Sequence, residues 1–437
     1  MTCEVAVANK LAIALAADSA VTFSGSSSQT TYASGANKIF QLAKSEPVAV
    51  MIYNNADLVK VPWELIIKAY RSQQSTEPHS RLGGYVDGLV EFINNCSTDL
   101  IPPELKESSS METYRSAVIR VINMITSLHP IVLDPQADPN EIRQTWSDAF
   151  DGVSKWVESF GVHESLDAAE MQADIGRCSA ALSAEIAHYL ANEASLISVG
   201  PFVDTGRLAE LAVSMAFRKG HELAGDNYTG VVIAGFGKDD YMPGFADTKF
   251  FGFIGGRVLH RRDAKQVVNY NGTSSIIEAF ARRAMVETFT QGASPEVWTA
   301  VGNAFSEYAV KVCKAASADA GVDVSDEHIK VALDAHMDQF TNAWTRSVFA
   351  DHLRPLWRVV ASLSVSELAE LAETLVQLES LKEKVTQRTQ SVGGPIDVAV
   401  ITKAEGLVWI KRKLYFDSKL NYRYFRRIDT EESIRHE

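Results

Sequence analysis

The chain has 437 residues, 46% of them apolar and 22% charged, with a net charge of −13. That is an ordinary composition for a globular protein, long enough for two or three domains or for one elaborated domain. The acidic balance argues against non-specific nucleic-acid binding, and no apolar run reaches the roughly 18 residues of a membrane span.

Thr2 follows Met1, and removal of a methionine before a small residue would leave a threonine at a free chain end. Such a threonine carries a hydroxyl that can attack a carbonyl and an α-amine, of pKa about 7.7–8.0, that can take the hydroxyl proton. Residues 3–7 (CEVAV) fit a strand and Asn9-Lys10 a turn; residues 11–18 (LAIALAAD) read as a second, uninterrupted apolar strand ending on Asp18. A Ser/Gly/Thr-rich loop over residues 23–35 leads to a hairpin in which Lys38 precedes Ile39-Phe40. A lysine beside an N-terminal threonine lowers the amine's pKa and stabilises the alkoxide forming at Oγ1. A buried lysine in turn requires a carboxylate partner.

From residue 61 to about 224 amphipathic segments recur, with apolar residues at helical spacing such as Val118, Val121, Ile122 and Ile125. Pro102-Pro103, His129-Pro130, Asp134-Pro135 and Gly200-Pro201 punctuate them. A second helical block is expected from residue 274 to about 390, its last helix opened by a Ser364/Glu367 capping box. His163, His188, His221 and His336 lack metal-ligand spacing, and Trp63, Trp146, Trp156 and Trp298 read as core residues. The basic run over residues 411–427 reads as a strand edge with a charged solvent face.

Thr2, Asp18 in LAADSAVT and Lys38 in NKIFQL resemble the catalytic Thr, Asp and Lys of proteasome β-subunits and the bacterial HslV peptidase. The sixteen-position interval from Thr2 to Asp18 matches those families without a gap. Farther on, TGVVIAGFGKDDYMPGF (229–245) resembles the family's central hairpin. NYNGTSSIIEAFARR (269–283) resembles its Gly-rich loop entering a long helix, and SVGGPIDVAVITKAEGLVWIKR (391–412) resembles its closing strand pair. The segments keep the family's order and cover roughly a third of the chain.

The resemblance implies an α+β chain forming a four-layer αββα sandwich of the N-terminal nucleophile (Ntn) hydrolase type, as a single elaborated domain. Its core strands would lie at about 1–58, 228–272 and 391–416, with helical insertions at 61–224 and 274–390 and a basic tail at 417–437. It implies Thr2 as nucleophile, Lys38 paired with Asp18, and the backbone N–H of Asn54 as oxyanion donor. Thr22 and Ala56 would hold the substrate backbone. Asn54 stands where the family has a glycine. The family's supporting serine falls on Asn271, with Thr273 beside it, and its other supporting residues fall near Thr389, Ser391 and Val392. Those positions depart from the family's pattern.

The implied activity is cleavage of peptide bonds through an acyl-enzyme on Thr2, without cofactor or metal. A peptide or protein would be the substrate, a homo-oligomer the assembly and a separate ATPase unfoldase a candidate partner; the chain lacks a G-x-x-x-x-G-K-[ST] motif of its own. A non-peptide Ntn amidohydrolase and a catalytically silent proteasome-like scaffold are the alternatives. Cys3 is a rival nucleophile by chemistry, but the Asp18 interval counts from Thr2, and Cys3 reads as a buried thiol. Four scattered cysteines, and no basic-then-apolar leader at the start, lead to the expectation of a reducing, cytoplasmic setting.

Overall fold

The computed structural model describes residues 2–24, 30–73, 78–270, 272–322, 324–386, 392–423 and 426. Every residue of β1 (Cys3–Ala8) and β2 (Ala12–Ala17) is buried, so neither sequence needs a polar face. The Asn9 side chain in the turn between them donates to the carbonyls of Val360 and Leu363, which fixes the turn against a distant loop. β3 (Ala20–Ser24) and β4 (Thr30–Ser34) pair as a separate hairpin that starts before, and ends within, the 23–35 stretch expected to be loop. Ser and Thr at alternate positions are compatible with a strand edge, and composition alone does not separate the two.

β5 (Ile39–Gln41) and β6 (Val48–Asn54) form the expected second hairpin. The two-residue strands β7 (Asp57–Leu58) and β8 (Val61–Pro62) then lead into α1 (Trp63–Gln73) and α2 (Leu82–Asn95). Four longer helices follow: α3 (Pro103–Leu128), α4 (Pro139–Glu158), α5 (Ala168–Asn192) and α6 (Thr205–Ala224). Proline at the first turn of α3 and α4 marks their starts, where a missing N–H costs nothing. Val118, Val121, Ile122 and Ile125 turn inward, into a cluster these helices share with Trp146, Leu182, Leu208 and Phe217. Trp156, expected in the core, is 39% exposed.

The chain returns as β9 (Thr229–Gly235), β10 (Gly244–Ile254), β11 (Arg257–Val267) and β12 (Ile276–Ala281). β12 corrects the expected loop-to-helix transition: residues 276–281 pair antiparallel with β1, and helix begins only at α7 (Ala284–Gln291). Six residues, apolar but for Glu278, carry too little periodicity to choose between strand and helix, and the free edge of β1 decides it. The core strands therefore extend beyond residue 272, and the second insertion starts ten residues later than expected.

α8 (Pro295–Asp319), α9 (Asp326–Val348) and α10 (Arg354–Val360) follow, then α11 (Val365–Thr386), β13 (Asp397–Thr402) and β14 (Gly406–Lys411). The capping box forms at the start of α11: the Ser364 N–H donates to Glu367 Oε2 at 2.8 Å and the Glu367 N–H to Ser364 Oγ at 3.4 Å. β14 stops at Lys411, so among the described residues of the basic run only the first is strand; Lys411 pairs with Glu373 and Lys413 with Asp397.

Two five-stranded antiparallel sheets result, ordered β12-β1-β2-β13-β14 and β11-β10-β9-β6-β5. Between them Ala6, Leu15 and Ala399 of the first sheet meet Met51, Val232 and Phe245 of the second. Alternate residues Val5, Val7 and Val398 face the other way, against Leu368, Ala372 and Val376 of α11. The far face of the second sheet, with Val50 and Ile233, is covered by Trp63 and Ile67 of α1 and Tyr85 and Leu89 of α2. The chain is thus an α+β sandwich of two sheets with helices on both outer faces.

Candidate active site

Thr2 and Glu4 are two apart on an extended chain, so both project to the same side, toward the second sheet where Ala6 and Ala8 also point. Thr2 Oγ1 donates to Glu4 Oε2 at 3.1 Å. Lys38 enters from the residue before β5 of the opposite sheet, with its Nζ 3.1 Å from Glu4 Oε1 and 2.5 Å from Asp18 Oδ1. The ammonium is therefore bracketed by two carboxylates. Glu4 and Asp18 are fully buried, and Thr2 and Lys38 are each only 4% exposed.

Backbone contacts hold each member in place. Asp18 Oδ1 also accepts the N–H of Cys3, and Oδ2 accepts the N–H groups of Gly393 at 2.8 Å and Ala20 at 3.4 Å. The Thr2 carbonyl accepts the Arg282 N–H at 3.1 Å, and Lys38's carbonyl accepts the Ile52 N–H at 2.9 Å. Beneath this layer α11 takes part: Glu383 Oε2 accepts the Val392 N–H, and Glu383 Oε1 lies 3.2 Å from Arg282 Nε. A continuous set of contacts thus runs from Thr2 through Arg282, Glu383, Val392 and Gly393 to Asp18 and Lys38.

The electrostatics follow from burial. Burial pushes the Glu4 carboxyl up, and Asp18 adds to this; Lys38 and the Thr2 hydroxyl oppose it, leaving Glu4 at about 7. Burial alone would lower the Lys38 ammonium, but Glu4 and Asp18 outweigh it and hold the lysine above its ordinary value. Cys3 points to the opposite side of the sheet, into the cluster under α11, and burial raises its thiol well above the usual range. It is not the activated nucleophile of this place.

The remaining expected residues divide. Asn54 ends β6, two residues beyond Ile52, with a left-handed φ of 68° that suits asparagine or glycine. Its side chain donates to the carbonyls of Asp226 at 2.9 Å and Tyr228 at 2.8 Å. Ala56 lies in the turn after β6, its carbonyl accepting the Trp63 N–H at 2.9 Å. Asn54 and Ala56 line a cleft of about 560 Å³ with Tyr228, Thr229 and Phe251. Thr22 is paired with Tyr32 in the β3–β4 hairpin.

Thr273 is a correction. β12 runs antiparallel to β1, with Ala281 opposite Cys3 and Ile276 opposite Ala8, so Thr273 precedes the end of β12 remote from Thr2. Asn271, Ser391 and Thr389 lie outside the described residues. The groups that do support Thr2 and Asp18 are Arg282, Glu383 and the Val392-Gly393 backbone. Sequence reasoning also missed Glu4. Its signal was a lone carboxylate inside the apolar strand CEVAVA.

A second cleft, of about 570 Å³, is lined by Asn37, Ile39, Pro395, Trp409 and Arg412 on the other side of the β5 entry. Neither cleft is lined by Thr2. Among the described residues no group of three or more His, Cys, Asp or Glu side chains is placed to hold a metal ion. His163 and His221 do face one another, with ring centroids 5.1 Å apart. No described helix is long and apolar enough to cross a membrane. Comparison of the chain with protein-family models, curated proteins and solved structures found no match.

Proposed function

We propose that this chain is an N-terminal threonine hydrolase of the Ntn type that cleaves an amide bond through an acyl-enzyme on Thr2. The observation carrying the reading is the buried Lys38 ammonium, bracketed by Asp18 and Glu4, with the Thr2 hydroxyl hydrogen-bonded to Glu4. A hydroxyl, a cation and carboxylates gathered from three separate strand ends are a costly arrangement for a sandwich core. They are also what nucleophilic attack on a carbonyl calls for.

In this reading the chain is first processed so that Thr2 has a free amine. Thr2 Oγ1 attacks the carbonyl carbon, Lys38 stabilises the negative charge that develops, and Asp18 orients Lys38. The backbone N–H at Asn54 is the proposed oxyanion donor, supported by its left-handed φ and its place two residues past the strand partner of Lys38. Expulsion of the amine leaves an ester on Thr2 that water resolves. Peptides are the favoured substrates through the resemblance to proteasome-like peptidases, laid against Asn54–Ala56 as an added strand. A homo-oligomer and a cytoplasmic setting belong to the same proposal.

One observation favours the silent-scaffold alternative: at 4% exposure Thr2 requires this end of the sandwich to open before a substrate arrives. Intact-mass measurement with and without a peptide electrophile separates the two. A hydrolase loses Met1 and gains one covalent adduct, mapped to Thr2 and absent from Thr2→Ala. A chain that keeps a blocked Thr2 amine and takes no adduct is a scaffold.

A further inference from the structure

The reaction proposed above requires a group to take the Thr2 hydroxyl proton, and the geometry points to the Glu4 carboxylate as that general base, in place of the threonine's own amine. The inference rests on the reading of Thr2 as nucleophile. Glu4 Oε2 accepts the hydrogen bond from Thr2 Oγ1 at 3.1 Å, so it touches the reacting atom, within the reach a general base requires. Its other oxygen is taken up by Lys38 at 3.1 Å. The carboxylate is thereby held between nucleophile and cation with one oxygen for each.

A purely structural role explains Glu4 poorly. Lys38 already has Asp18 at 2.5 Å, and a single positive charge is balanced by one carboxylate. A second carboxylate, fully buried on the same ammonium, leaves the cluster one negative charge in excess unless a proton is bound or the released Thr2 amine is charged. Thr2, the group at its other oxygen, supplies a proton of that kind during attack.

Among the described residues, groups from four strands surround Glu4, and the released Thr2 amine would join them. Its own strand presents Thr2, the end of β2 presents Asp18, and the start of β5 presents Lys38. β12 places Phe280 opposite Glu4 and Glu278 opposite Ala6, one pair farther along the same face. Tyr53 of β6 packs on Phe280, and its hydroxyl is taken up by Asp247 at 2.8 Å. Cys3 and Glu379 belong to the outer side of the sheet. Burial, with Asp18, raises Glu4 to about 7, which matches a base working near neutral pH.

The step balances as follows. The Oγ1–carbon bond forms while the Oγ1 proton passes to Glu4 Oε2 and the carbonyl π pair moves onto oxygen. When the carbon–nitrogen bond breaks, the pair on oxygen re-forms the carbonyl and the proton on Glu4 passes to the leaving nitrogen. Water then attacks the ester, giving its proton to Glu4. The ester carbon–oxygen bond breaks last, and Thr2 Oγ1 takes that proton back.

The test uses the full chain, after release of Thr2, and a peptidyl β-lactone as probe. The rate of acylation at Thr2 is read by intact mass and peptide mapping from pH 5 to 9. Wild type is expected to show a rate that rises through a single ionisation near neutral pH. Glu4→Gln is expected to lose rate on the order of 10²–10⁴-fold and to lose that ionisation from its profile. The profile is the readout that mere mispositioning of Lys38 would not remove. If Glu4→Gln keeps the same ionisation and a rate within about threefold, the amine takes the proton and the inference is overturned. Should Glu4→Gln not fold, Glu4→Asp keeps the charge on a shorter side chain. A lower rate with the ionisation retained supports the base, and an unchanged rate overturns it. No wild-type adduct at any pH removes the nucleophile and its base together, which separates failure of the earlier reading from failure of this one.

Discussion

Among the described residues two aspartates are buried completely, and their surroundings solve the problem differently. At the end of the sandwich Asp18 meets a lysine that is itself buried, with a second carboxylate and an aliphatic hydroxyl beside it. In the helical insertion Asp174 of α5 accepts from the Tyr114 hydroxyl of α3 and from Arg177, whose side chain stays 59% exposed. The second cluster leaves its cation in water and fills its other oxygen with a phenol that burial, then Asp174, holds firmly protonated. That ties two helices together at small electrostatic cost. The first cluster draws the cation and two acids out of water, and its geometry is spent on an atom that can react. Buried charge alone therefore does not mark a site; the proposed reading rests on a buried cation next to a hydroxyl that can act as a nucleophile.

Substitutions can break or sharpen this contrast. The largest effect is expected from Thr2→Ala, which removes the nucleophile. Turnover and covalent labelling should fall by on the order of 10⁵-fold or more, while urea unfolding shows a loss of about 1–3 kcal/mol because the buried Glu4 Oε2 loses its donor. Lys38→Met comes next. It leaves Glu4 and Asp18 buried without a cation, and should cost about 3–5 kcal/mol in urea unfolding as well as abolish labelling. If Lys38→Met proves as stable as wild type, the first cluster is no more demanding than the second.

Glu4 gives a pH dependence whose sign is fixed by its raised value. Because the folded chain holds the Glu4 proton more tightly than the unfolded chain, this stabilisation is complete below about pH 4.5. It is lost as pH rises through about 7. The term is on the order of 3 kcal/mol, read as the difference in unfolding free energy between wild type and Glu4→Gln across that interval.

Smaller effects belong to the helical cluster. Tyr114→Phe leaves one oxygen of Asp174 unsatisfied and should cost about 1–3 kcal/mol, with labelling at Thr2 unchanged. Arg177→Met removes the cation from the fully buried Asp174 carboxylate and should likewise cost about 1–3 kcal/mol, less than Lys38→Met because it strands one carboxylate instead of two. A loss of labelling in either variant would show that the insertion communicates with Thr2.

The two insertions differ as well. α3, α4, α5 and α6 close a core of their own, whereas α9 buries only Ile329 and α8 buries nothing among the described residues. The α8–α9 pair is held by stacked rings, Trp298 on Trp344 and Phe305 on Phe340, with Val301, Tyr308 and Val312 left exposed. Helices were expected in both insertions, and both contain them, although the second begins ten residues late. Periodicity carried no information on whether a second apolar surface would be there to receive them.

What the sequence determined by itself was local or counted along the chain. The apolar strands around Asn9-Lys10, the helices punctuated by proline and the Ser364/Glu367 cap came from residue type and spacing, and they form because strand and helix periods are properties of the backbone. Thr2, Asp18 and Lys38 were nominated by their chemistry together with a family resemblance, and Thr2 and Asp18 come close because they lie near opposite ends of a short two-strand hairpin. Tertiary structure decided what depends on register and burial. It made residues 276–281 a strand, because the edge of β1 required a partner, and so moved Thr273 away from Thr2 and brought Arg282 to it. It also brought Glu4 against Lys38, thirty-four positions later in the chain. A carboxylate's chemistry is set by how much water it loses and which charges replace that water, and only the packing of the two sheets fixes both.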